Sequence, residues 1–159
     1  MQHLVSHLEK IPQSMSTIRK AMPSHCRLIM YDQLKSASTR KSLFNGKVCV
    51  IVLYTLHNKN GRMKESAVGH YVLIMKTKSG KLHYVSSYGM RPEQEIALTE
   101  SKGYLLQVLG KNFTWSRRQV QKIKDTQTCG LHAICRSYLY RLTDGQYYKI
   151  IGSRFSSNS

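Results

Sequence analysis

The chain has 159 residues, 41% of them hydrophobic, which fits one domain with its own core and excludes an intrinsically disordered polymer. Its 25 lysines and arginines against 8 acidic residues give a formal charge of +17, which points to a polyanionic partner, nucleic acid above all. The longest apolar run, Val48 to Tyr54, is too short to span a bilayer, and no apolar signal region follows Met1, so a soluble, intracellular protein with no membrane contact is expected.

In chain order, residues 1–22 carry Leu4, Leu8, Ile11, Met15, Ile18 and Met22 on a rough helical period that Pro12 interrupts. Residues 26–31 read as a short strand or loop, and residues 32–46 as a basic loop or weak helix. Val48 to Leu56 is a β-branched run typical of a strand buried on both faces. Asn58-Lys59-Asn60-Gly61 is turn chemistry in a charged loop that lasts to Gly69. A hairpin follows, with strands His70–Met75 and Lys81–Ser86. Residues 93–109 read as one helix with Ile96, Leu98, Leu105 and Leu106 inward, and Phe113 to Ser116 as a short strand. A helix from Cys129 to about Leu142 is ended by Asp144-Gly145, and residues 146–159 read as a basic, Ser-rich tail. The fold class is therefore α+β: a small mixed sheet packed with helices in a single domain, its core over residues 26–142.

Cys129-Gly130 stands where polar residues give way to an apolar helical pattern, so Cys129 is expected at a helix N-terminus, where the partial positive charge favours a thiolate. A nucleophilic thiol needs a base, and His70, entering a strand, is the candidate. With the hairpin turn centred on Lys78, Ser86 faces His70 directly and is the expected partner of the imidazole, a position where a carboxylate would hold the tautomer better. Glu93, Glu95 and Asp125 are other carboxylates that could be supplied from elsewhere in the chain. Backbone N–H groups at the helix start, with Gln121 or Gln119, are candidate oxyanion donors. His83 alternates to the other face of its strand and is set aside. His132, one turn from Cys129, is a minor alternative base expected to point to solvent. Cys49 and Cys135 read as core and Cys26 is uncommitted. The cysteines have no metal-ligand spacing, so neither a zinc site nor any other required cofactor is expected. The basic residues cluster at 40–41, 59–64, 76–81 and 117–124, a dispersed pattern suited to nonspecific phosphate contact.

Gly69-His70-Tyr71-Val72-Leu73, then Tyr84-Val85-Ser86-Ser87-Tyr88-Gly89, then Gln121 and Asp125-Thr126-Gln127-Thr128-Cys129-Gly130 together resemble the adenovirus-type (adenain-like) cysteine proteases, in the larger group that includes the SUMO-specific proteases. The resemblance spans roughly residues 45–142 and follows the family order of His, acid, Gln and Cys. It implies a papain-like core, His70 as base, Cys129 as nucleophile and Gln121 as oxyanion donor. Two departures stand out: Ser86 occupies the acidic position, and Gln121 lies one residue further from the cysteine than is usual. The implied activity is a thiol endopeptidase that cuts viral precursor polypeptides during virion maturation. It would act as a monomer in the virion and the host nucleus, with DNA as a nonspecifically bound partner and candidate activator. Removal of ubiquitin-like modifiers, or a catalytically weakened DNA-binding role, are the alternatives.

Overall fold

A computed structural model describes residues 14–54, 70–120 and 128–156, with side chains as far as Ile151. It is a mixed α+β fold built on one five-stranded sheet in the order β1-β2-β3-β4-β5. The strands are β1 (Cys26–Met30), β2 (Cys49–Tyr54), β3 (His70–Lys76), β4 (Leu82–Val85) and β5 (Phe113–Trp115). The outer pairs, β1 with β2 and β4 with β5, run parallel, and the inner pairs are antiparallel.

Alternation along the strands divides the core in two. Cys49, Ile51, Tyr71, Leu73, Met75 and Val85 face one layer, which holds α1 (Met15–Ala21), α5 (Cys129–Tyr138) and α6 (Asp144–Ser156) through Ile18, Ile134 and Tyr147. Val50, Val52, Tyr54, Val72, Ile74 and Tyr84 face the other. There they meet a 3₁₀ turn (Tyr31–Lys35), α2 (Arg40–Phe44) and α4 (Tyr104–Leu109), while α3 (Pro92–Leu98) precedes α4. With helices on both faces, β2 is buried except at Leu53 and β3 except at its two ends, which is why they read as continuous apolar runs rather than alternating ones.

Several expectations need correcting. The expected single helix over residues 93–109 is two, α3 and α4. The Thr99 hydroxyl bonds back to the Glu95 carbonyl (2.8 Å) and Glu100 takes a left-handed conformation, so the first helix stops there. Leu98, expected inward, is 64% exposed, and Glu95 takes the buried face instead. Helix α5 ends at Tyr138 rather than Leu142, because the Arg136 guanidinium donates to the carbonyls of Leu139 and Leu142, both at 2.7 Å, and closes a tight turn. Asp144-Gly145 opens a helix instead of ending one. Thr143 and Gln146 form a reciprocal cap (3.0 and 3.2 Å), and residues expected as tail continue as α6, with Tyr147 and Ile151 buried in the core. The hairpin register also differs: Leu73 lies opposite Val85, two residues from the expected pairing, which would have put Tyr71 there.

Candidate functional site

The site lies where the two layers meet at one end of the sheet. His70 is the first residue of β3, on the face that carries Tyr54 and Tyr84, and Cys129 is the first residue of α5, on the other. The register error has little effect here. A shift of two residues preserves the side-chain face, so Ser86, just beyond β4, still reaches His70: its hydroxyl is 3.3 Å from the ring Nε2. The same oxygen accepts the Tyr88 amide N–H at 3.2 Å, which fixes the turn after the strand. The His70 ring stacks on Tyr88 (centroids 4.5 Å apart, 17° between planes) and lies near-parallel to Tyr54, its cross-strand neighbour, at 6.1 Å.

The carboxylate at this imidazole comes from Glu95. Its Oε2 makes a short contact with His70 Nε2, and the residue is 2% exposed. Pro92 at the first turn of α3 and the Arg91–Gln94 cap (3.0 Å) start the helix where Pro92 and Glu95, three positions apart, share the buried side. Burial by itself drives the His70 imidazole toward its neutral form. The Cys129 thiol and then the Glu95 carboxylate outweigh that and raise its pKa from 6.5 to about 9. The thiol acts on the ring both as a hydrogen-bonding neighbour and through its charge, which puts the Cys129 side chain beside the imidazole.

Cys129 itself is buried, 1% exposed. Beside it a cavity of about 10 Å³ is lined by Tyr71, Val85, Ser87, His132 and Arg136 among others, room for about one water. His132 is therefore not on the solvent side as expected: it is buried and lines the same cavity as Cys129, because nearly every residue of α5 is enclosed by the layer it shares with the sheet, α1 and α6. The other three thiols, on Cys26, Cys49 and Cys135, are buried and pushed up by desolvation, Cys26 and Cys135 to about 12. His83 is engaged away from the site, with Thr114 Oγ1 at 2.6 Å and Asp144 Oδ2 at 2.9 Å.

Gln121 and Asp125 lie outside the described residues. The segment leading to them is tied to the site, because the Val120 amide donates to the Ser87 carbonyl at 2.8 Å. Gly89 (φ +69°) packs so closely on this segment that a Cβ would lie 2.8 Å from the Arg117 carbonyl oxygen. The first turn of α5 leaves backbone N–H groups without partners inside the helix, as at any helix start. Among the described residues, no group of three or more His, Cys, Asp or Glu is placed to hold a metal ion. No described helix is long and apolar enough to cross a membrane. No protein-family model matches this chain, and comparison with curated proteins finds no match.

Proposed function

We propose that the chain is a cysteine endopeptidase with a papain-like core of the adenovirus type, in which Cys129 is the nucleophile, His70 the base and Glu95 the acidic member of the triad. The single observation that carries the reading is an imidazole held between a buried carboxylate and the thiol of a helix-starting cysteine, its proton affinity raised by both. His70 takes the Cys129 proton before the attack and holds it as the imidazolium while the Sγ thiolate adds to the scissile carbonyl carbon. The oxyanion is held by N–H groups at the start of α5 and by the Gln121 side chain. The imidazolium is stabilised by Glu95 and oriented by Ser86 and the Tyr88 ring, and it then protonates the leaving amine. Water, deprotonated by His70, releases the acyl group.

The substrate class rests on the sequence resemblance and on the charge. A protein of net charge +17 concentrates on nucleic acid, so precursor polypeptides bound to viral DNA are the substrates proposed. The test offers the enzyme DNA-associated viral precursors alongside ubiquitin-like fusions. Cleavage of the precursors, abolished in Cys129→Ala, is expected. Turnover of ubiquitin-like fusions alone would move the protein to modifier removal, and no turnover of either would leave a catalytically weakened DNA-binding relative.

A further inference from the structure

Behind Glu95 lies a second pair of polar groups that the proposed mechanism does not use. The hydroxyls of Tyr54 and Tyr84 are 2.8 Å apart, and both side chains are fully buried. The Tyr84 hydroxyl neighbours the Glu95 carboxylate, whose Oε1 is buried without a formed hydrogen bond. Burial drives both phenols well above their usual range, so each keeps its proton. Two hydroxyl protons then share one oxygen–oxygen contact. If Tyr84 donated to Tyr54, whose ring lies between the rings of Tyr31 (centroids 5.0 Å apart) and His70 (6.1 Å), the Tyr54 proton would find no acceptor among the described hydrogen bonds and Oε1 would stay unpaired. The opposite order satisfies all three groups: Tyr54 donates to Tyr84, and Tyr84 donates to Glu95.

We infer that Tyr84, backed by Tyr54, is a positioning residue that fixes the charge and orientation of the Glu95 carboxylate toward His70. The inference rests on the proposed catalytic reading, since it extends the chain Glu95–His70–Cys129 by two members. The groups facing the carboxylate are His70 from β3, Tyr84 from β4, Tyr54 from β2 and, past the ring, Cys129 from α5. Glu93, on the same helix, is paired at the surface with Arg91.

The titration of the His70 ring, followed by NMR in the full chain, separates this role from a structural one. Tyr84→Phe should lower the His70 midpoint by on the order of one pH unit, the scale of one hydrogen bond to a charged group. Tyr54→Phe should lower it by less. Adding Tyr84→Phe to Glu95→Gln should produce no further shift, because the phenol acts only through the carboxylate. Thermal melting checks the fold of each variant, and Tyr54→Phe carries the test if Tyr84→Phe does not fold. An unchanged midpoint in a folded Tyr84→Phe or Tyr54→Phe variant, or full additivity with Glu95→Gln, would overturn the inference. A wild-type midpoint at or below 6.5 that ignores both Cys129→Ala and Glu95→Gln would instead defeat the catalytic reading.

Discussion

At the level of single residues, the acid at His70 is the main departure from what the sequence resemblance implies. Position 86 carries no charge, and Glu95 reaches the same nitrogen from a helix. This reverses a natural expectation for Ser86→Asp. An aspartate there would look like restoration of the usual triad, yet the position is fully buried and a second carboxylate would crowd Glu95. We predict that Ser86→Asp lowers both turnover and stability, the latter by about 3 kcal/mol. Glu95→Gln should lower kcat/KM by about 10²–10⁴-fold while the fold persists, which steady-state kinetics with circular dichroism would check. The raised His70 pKa has a thermodynamic consequence as well. A group whose pKa rises from 6.5 to about 9 on folding stabilises the native state fully below pH 6.5, and that contribution fades as pH climbs through 9. Denaturant unfolding of wild type should weaken across this window, and Glu95→Gln should flatten the slope.

At the level of elements, what was readable in the sequence followed the strength of the local signal. The β2 and β3 strands came from unbroken β-branched and aromatic runs, and the start of α5 from the switch to a helical period at Cys129. The hairpin parity survives a turn centred one residue later than expected, because that slips the pairing by two positions and side chains repeat every second position. Helix α6 is hidden in the sequence because Asp144-Gly145 looks like a terminator, although Thr143 and Gln146 spell a capping box. In the sequence Glu95 stands unplaced beside Glu93 and Asp125, because apolar residues alone define an inward face there. The phase set by Pro92 puts position 95 inside and Leu98 outside, a cue that was present. Gly89→Ala tests the join between the Ser86–Gly89 turn and the segment leading to Gln121. With φ at +69° and a backbone oxygen 2.8 Å from the added carbon, it should cost more than about 1 kcal/mol and reduce turnover through displaced oxyanion donors.

For the whole molecule, the charge acquires a partial location. Sequence clusters looked dispersed, but folding brings Arg91 and Arg117 onto the Trp115 ring, at 4.2 and 4.6 Å, and Arg118 onto Tyr148 at 4.8 Å. Arginine with aromatic faces is the combination that nucleic-acid surfaces use for phosphate contact and stacking. If DNA engages this face, Arg117→Ala with Arg118→Ala should weaken binding uniformly across sequences and reduce the salt slope by about 2, read from fluorescence anisotropy over a salt series.

The most direct measurement of the central claim is mass-spectrometric mapping of a peptidyl vinyl sulfone on the four cysteines. Desolvation holds the Cys26, Cys49 and Cys135 thiols in their protonated form, so they should stay unmodified. The account predicts modification of Cys129 alone, slowed at least about 100-fold in His70→Ala. Labelling spread over the other three cysteines, or labelling of Cys129 at the same rate without His70, would contradict it.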